Sequence, residues 1–264
     1  MNDVELAAAA ARAAADVLLP LRGGDLAGGA LGDAGDAAAQ RAVAALLAEH
    51  RPDDAVLSEE AADDPVRLGA DRVWIVDPLD GTKEYRAGDR HDWAVHVALW
   101  ERRPGPGSGS GAAPGAAPGD AAGDLTAAAV GLPALDEVLT TAPAPVVPPR
   151  PAGPLRVAVS RSRPPEVARA VATALGADLV PLGSAGYKVL AVVRSEADAY
   201  VHAGGMYQWD SAAPVAVARA AGLWTSRLDG SPLVYNAPDP WLPDLVVCRP
   251  ELADRVLAAA RREA

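Results

Sequence analysis

The chain has 264 residues, half of them apolar, enough for one large domain or two modest ones sharing an interface. Lys and Arg total 24 against 35 Asp and Glu, a net charge of −11, which excludes a nucleic-acid polymer as partner because phosphate backbones need a basic surface. A single cysteine, Cys248, rules out an intramolecular disulfide and a thiolate metal cluster, and it suits a reducing cytoplasm.

In chain order, residues 3–22 predict an Ala-rich amphipathic helix stopped by Gly23-Gly24. Its acidic start carries no basic, apolar and cleavable pattern, so neither a signal peptide nor a membrane span is expected. Residues 36–50 predict a second helix with Asp36 near its start. Val73–Val76 and Trp93–Trp100 predict strands, the latter with Trp93, Val95, Val97 and Leu99 on one side. Residues 103–123, rich in Gly, Pro, Ala and Ser, predict a flexible insert. Strands resume near Ala127–Leu132 and Glu137–Thr140, and a Pro-rich stretch, Ala142–Pro154, looks like an interdomain connection.

Beyond it the rhythm alternates. Strands are expected at 155–160, 179–182, 199–202 and 245–248, and helices at 164–175, 186–194, 211–221 and 250–262. This predicts a largely parallel α/β layer. The division is therefore an α+β domain over residues 1–141, containing the 103–123 insert, and an α/β domain over 155–264.

Three acidic motifs carry the chemistry. In WIVDPLDGTKEY (74–85) an apolar strand delivers Asp77 and Asp80 around a proline, followed by a Gly81-Thr82 turn. Two carboxylates so close repel unless a cation or a proton lies between them. Magnesium fits, because it takes hard oxygen ligands and shares them with substrate phosphate; the Leu79 carbonyl could add one more. In AVLSEE (55–60) a second apolar run ends at Glu59 and Glu60, a pattern that also merely opens helices. In QWDSAAP (208–214) Asp210 stands just before an apolar helix, either as an ordinary N-cap or as a ligand beside a helix N-terminus suited to phosphate. His50, His91, His96 and His202 are scattered and read as structural or surface residues, with His202 the exception because it precedes Gly204-Gly205.

LSEE, WIVDPLDGTKEY and WDSAAP, in that order, resemble the lithium-sensitive, magnesium-dependent phosphatase superfamily of inositol monophosphatase and fructose-1,6-bisphosphatase. Lys83-Glu84-Tyr85 and GSAGYK (183–188) look like its bisphosphate nucleotidase branch. The resemblance implies alternating layers of helices and two β-sheets, an α+β and α/β layered fold, in a cytoplasmic enzyme that could form a homodimer. It implies two or three Mg²⁺ ions held by Glu59, Asp77, the Leu79 carbonyl, Asp80 and Asp210. Asp36, Thr82 and Glu59 would be catalytic. Leu79, Asp80, Gly81, Thr82, Ser184, Lys188, His202 and Asp210 would contact a small phosphorylated substrate. The family's T-x-x-D stretch corresponds to Gly32-Asp33-Ala34-Gly35-Asp36, where Asp33 replaces the threonine, so either Asp33 or Asp36 could partner Thr82.

The expected reaction is removal of the 3′-phosphate of 3′-phosphoadenosine 5′-phosphate by direct in-line attack of a metal-activated water. Lys83 and Lys188 are the cations available for a second phosphate. Inositol 1-phosphate or fructose 1,6-bisphosphate remain alternative substrates of the same fold, and a silent phosphate-binding regulatory module is the non-enzyme alternative. A haloacid-dehalogenase-type phosphatase would need aspartates two apart, whereas Asp77 and Asp80 are three apart.

Overall fold

The computed structural model describes residues 1–103 and 123–262. The chain opens with helices α1 (Asp3–Arg22) and α2 (Gly28–His50). Asn2 and Glu5 cap α1 reciprocally, and Leu6, Ala7, Ala10, Ala11 and Ala14 form its buried face. The small side chains let α1 lie close against α2 and the first sheet. The second helix begins eight residues earlier than the sequence suggested, so Asp36 lies well inside it, not near its start.

The first sheet has the order β1-β2-β3-β4-β5, from β1 (Ala55–Ser58), β2 (Arg72–Asp80), β3 (Ala94–Arg102), β4 (Gly123–Leu132) and β5 (Glu137–Thr140). β1 runs parallel to β2, and every other pairing is antiparallel. Pro78 does not end β2. The strand continues to Asp80 through a register shift between Asp77 and Asp80, because a bulge tolerates a residue with no N–H to donate. The one-turn helix α3 (Thr82–Arg86) follows directly.

The second half supplies β6 (Leu155–Ser160), α4 (Glu166–Leu175), β7 (Ala177–Leu182), α5 (Ala185–Val193), β8 (Ala199–Tyr207), α6 (Gln208–Ala220), β9 (Trp224–Ser226), β10 (Trp241–Cys248) and α7 (Ala253–Ala260). Its sheet has the order β7-β6-β8-β10-β9. Only β7, β6 and β8 are parallel; β10 runs antiparallel to both β8 and β9, so this sheet is mixed rather than largely parallel. The antiparallel edge arises because the chain returns from α6 by extended segments instead of a further crossover helix. β8 also continues through Gly204-Gly205, both at positive φ, with a register shift against β10.

The layers alternate. α1 and α2 cover one face of the first sheet, around Leu18, Val43, Trp74 and Val97. α5 and α6 lie between the sheets in a cluster that takes Leu57, Ile75 and Trp100 from one half and Tyr200, Leu245 and Val247 from the other. α4 and α7 close the outer face of the second sheet. The two halves therefore share a continuous core, with the 142–154 stretch running between their sheets.

The insert expected over 103–123 falls on residues 104–122, outside the described residues. Its flanks are fixed: Arg102 pairs with Gly123 across the β3–β4 ladder, and Arg103 forms an ion pair with Asp124. Strand ends so close can be joined by a short turn. Replacing residues 104–122 with Asn-Gly should leave the melting temperature unchanged or slightly higher, since loop-closure entropy varies slowly with length. A clear drop in a calorimetric melt would show that the segment contributes packing.

Candidate active site

The site forms where β1, β2, α2, α5 and α6 meet. Asp77 lies in β2 opposite His96 of β3, and both are buried. Asp77 Oδ1 accepts the Leu79 amide at 3.0 Å, while its Oδ2 is buried with no hydrogen-bond partner among the described residues. Asp80, 8 % exposed, is held from the N-terminus of α5: Oδ2 accepts from Ser184 Oγ at 2.5 Å and the Gly186 amide at 2.6 Å, and Oδ1 from the Ala185 amide at 3.2 Å. His96 Nε2 lies 3.3 Å from the same Oδ2, and its Nδ1 lies 3.1 Å from the Trp209 carbonyl. A Cβ at Gly186 would overlap the His96 ring, so glycine is what admits α5 to this position.

Glu59 follows β1 directly, its amide bonded to the Val76 carbonyl at 3.2 Å, which extends the sheet by one residue toward Asp77. Asp210 lies within the first turn of α6, not before it, and its Oδ2 accepts the Tyr207 amide at 2.6 Å.

The electrostatics show how crowded these groups are. Burial and the charges of Asp80, Glu59 and Asp210 push Asp77 well above the carboxylate range. Glu59, although partly facing solvent, is pushed up to about 7 by loss of hydration and by Asp210. Asp210 is pushed up to about 6 by burial and Asp80. Burial acts on Asp80 in the same direction, but His96, Ser184 and the Gly186 amide outweigh it and hold Asp80 down to about 2. One ionised carboxylate thus stands among three that resist ionisation, an arrangement completed by either protons or cations.

The catalytic pair expected from the sequence meets. Thr82 Oγ1 is 3.4 Å from Asp36 Oδ1 and 3.2 Å from the Leu79 carbonyl. Gly32 and Gly35 of α2 make the approach possible: a Cβ on Gly32 would strike Thr82 and Arg86, and one on Gly35 would strike the Tyr85 ring. The partner is Asp36; Asp33 is exposed and makes no such contact. Burial, Glu60 and other neighbours raise the Asp36 carboxyl to about 6. Gly81 has φ +87°, and its Cβ would come within 3.0 Å of Ser184, so the turn requires glycine on both counts.

Two expected substrate contacts are engaged elsewhere. Lys188, 4 % exposed, points its ammonium onto the Gly183 and Ser184 carbonyls under the Tyr200 ring, and burial lowers it to about 8. His202 lies inside β8, with Nε2 2.9 Å from the Gly205 carbonyl and Nδ1 3.2 Å from the Tyr200 hydroxyl. His96, read as structural or surface, is buried in the cluster beside Asp80. Its signal was a polar residue on the Ala94–Ala98 face of an otherwise apolar strand. Asp92, fully buried, was missed because its partners, Arg90, Arg161 and the Gly183 amide, are mostly distant in sequence.

The profile of the inositol monophosphatase family matches residues 3–264. The chain belongs to the inositol monophosphatase family. It is 47 % identical over 271 residues to a Mycobacterium leprae protein named 3′-phosphoadenosine 5′-phosphate phosphatase, covering 99 % of this chain and 94 % of that one. A Mycobacterium tuberculosis protein of the same name is 49 % identical over 235 residues, covering 87 % and 81 %. Among solved structures, CysQ from Bacteroides thetaiotaomicron superposes with a TM-score of 0.75 at 25 % identity, covering 94 % of this chain and 97 % of that one.

Family members are metal-dependent, and ligand atoms of Asp77, Asp80 and His96 lie within 4.8 Å of one another. The unpartnered Asp77 Oδ2 and the mutually raised carboxyls fit a divalent cation. Glu59, Asp77 and Asp210 take up protons when the metal-free chain folds, because their folded carboxyls lie above the unfolded range near 4. Metal-free protein should therefore melt at a higher temperature at pH 5.5 than at pH 7.5. Asp80 acts in the opposite sense only below pH about 4. A saturating divalent cation would favour the deprotonated carboxylates and should reverse the slope. Melting curves with EDTA and with Mg²⁺ at both pH values test this; a pH-independent metal-free melt would contradict the crowding.

Proposed function

We propose that this protein is a magnesium-dependent phosphomonoesterase of the cytoplasm that converts 3′-phosphoadenosine 5′-phosphate to AMP and phosphate. The observation that supports it most is the convergence of Asp77, Asp80, Glu59 and Asp210 beside a Thr82–Asp36 pair. Strong likeness to the mycobacterial phosphatases adds the substrate class. The single, buried Cys248 suits a reducing compartment.

Glu59, Asp77, Asp80, Asp210 and the Leu79 carbonyl would hold the ions, with His96 steadying Asp80. Bound Mg²⁺ would supply positive charge that neutralises the phosphate and lowers the pKa of the attacking water. The chain's own residues do the rest. The Gly81 and Thr82 amides stand at the start of α3, where free N–H groups suit a phosphate oxygen. Thr82 Oγ1, held between the Asp36 carboxyl and the Leu79 carbonyl, orients the water for in-line attack. Asp36 accepts the hydroxyl proton and so fixes the direction of the threonine lone pairs. The anchorage of Asp80 by Ser184 and Gly186 keeps α5 against the reacting centre.

Thr82→Ala should lower kcat by roughly a hundredfold or more while KM stays within a few-fold, because the hydroxyl positions the water rather than the substrate. Near wild-type turnover would contradict that role. Phosphate release from 3′-phosphoadenosine 5′-phosphate, inositol 1-phosphate and fructose 1,6-bisphosphate, with Mg²⁺ and with EDTA, tests the substrate. The reading requires the nucleotide to be preferred and EDTA to abolish turnover.

A further inference from the structure

We infer that Arg67 is a positioning residue: it ties the segment that follows Glu59 to the segment that seats Asp210, and so fixes the spacing of these two carboxylates for a divalent cation. The inference rests on the reading above that both carboxylates hold metal. It concerns a side chain whose hydrogen bonds and ion pair, among the described residues, reach neither of them.

The two carboxylates have unequal supports. Glu59 extends β1, and beyond it the chain leaves the sheet for residues 60–64 and the single helical turn Pro65–Leu68, which Asp64 caps through the Val66 amide at 2.9 Å. Asp210 stands in the first turn of α6. Gln208, the first residue of that helix and fully buried, ties the turn down. Its amide donates to the Pro240 carbonyl at 2.8 Å and its Nε2 to the Asp239 carbonyl at 3.3 Å, while its Oε1 accepts the Asn236 amide at 2.6 Å. Ser211 Oγ adds a contact of 3.2 Å with the Tyr235 hydroxyl. The start of α6 therefore leans on residues 235–240. These belong to a stretch, 227–240, that forms neither helix nor strand, so no ladder fixes it and side chains must.

Arg67 is the side chain that reaches it from the Glu59 side. It is 1 % exposed. Nε and Nη2 grip Asp63 as a fork, at 2.6 and 2.9 Å. Nη1 donates to Asn236 Oδ1 at 2.8 Å and to the Ala237 carbonyl at 3.0 Å, and Nη2 also donates to the Pro238 carbonyl at 3.4 Å. Asn236 answers through Nδ2, which donates to the Arg67 carbonyl at 3.4 Å. Every N–H of the guanidinium is thus engaged, which leaves none for a ligand and makes the group a clamp. Asn236 has φ +57°, a conformation asparagine tolerates better than most residues, and its amide and side chain join Gln208 to Arg67. One path of contacts therefore runs from Asp63 and Arg67 through Asn236 to Gln208, with Glu59 at one end and Asp210 at the other. That path has a force to resist. After loss of hydration, the charge of Asp210 is the largest cause that raises the Glu59 carboxyl, so the two repel across the site. Two irregular segments without a tie would yield to that repulsion and widen the site. Groups that hold metal ligands from behind are worth as much to affinity as this predicts.

The test is calorimetric titration of Mg²⁺ into metal-free protein. The reference is Arg249→Ala, which removes a second buried arginine whose partners, Pro148, Ser195 and Asp198, lie outside the carboxylate site. Arg67→Ala should weaken Mg²⁺ binding by roughly ten- to a hundredfold. Raising Mg²⁺ should return kcat toward the wild-type value, with KM for the nucleotide within about twofold, because the clamp sets the metal site and not the substrate contacts. Arg67→Lys keeps the charge but cannot fork, and should recover part of the affinity. Asn236→Gly keeps the positive φ and the Arg67–Asp63 pair but removes the Oδ1 acceptor, and should lose affinity in the same direction in a chain that still folds. Arg249→Ala should lower the melting temperature in EDTA and leave Mg²⁺ affinity unchanged. Wild-type affinity in both Arg67→Lys and Asn236→Gly, or an equal loss in Arg249→Ala, would overturn the inference and leave the metal reading standing. A wild-type protein that binds no Mg²⁺ would instead remove that reading, and the inference with it.

Discussion

Repulsion among Asp77, Asp80, Glu59 and Asp210 is the constraint on which the rest of the structure depends. They arrive from three directions: Asp77 and Asp80 from the bulged end of β2, Glu59 from the end of β1, Asp210 from the first turn of α6. Two core clusters and a shared sheet hold those elements, so the carboxylates cannot relax apart. The cost shows in the carboxyls themselves, with Glu59 near 7 and Asp210 near 6. Asp80 alone is relieved by neighbours, because α5 presents Ser184 and two amides and β3 presents His96. A fold that keeps such repulsion in its core region needs a compensating charge, and for a phosphate esterase that charge is also the means of catalysis.

Close approach is the second theme, and glycine supplies it. Gly186 admits His96 against α5, and Gly32 and Gly35 admit α3 against α2. The first contact secures Asp80 and the second joins Thr82 to Asp36. Tyr85 then locks α3 from below, its hydroxyl donating to the Leu18 carbonyl at 2.8 Å. Positions that look conformationally permissive in the sequence thus act as sockets, and filling any of them would push a reacting group away from its partner.

Much of this was legible in the sequence because short-range chemistry decides it. The Asp-Pro-Leu-Asp-Gly-Thr run delivers a strand end and a turn within a few residues, so Asp77 and Asp80 could be placed side by side from spacing, while Thr82 entered the site through the family resemblance and the bulge was not foreseen. The helices and most strands followed from apolar periodicity. What escaped depends on distant partners. His96 becomes a site residue only through the β2–β3 register, and Asp92 only through Arg161 and Gly183. The burial of Lys188 was not legible because a lysine on an apolar helix carries no sign in the sequence of whether its ammonium faces water or turns back onto carbonyls. The mixed second sheet was missed because the short strand Trp224–Ser226 and the early start of β10 lack strong alternation.

The central claim is that the crowded carboxylates hold protons which a divalent cation displaces. Titrating Mg²⁺ into metal-free protein at pH 6.5 in two buffers of different ionisation enthalpy measures that exchange directly. The account predicts binding with net release of about one proton or more, since Glu59 stands near 7 and Asp210 near 6, and burial with neighbouring charges raises Asp77 as well. Binding with no dependence on the buffer, or no binding at millimolar Mg²⁺, would contradict it.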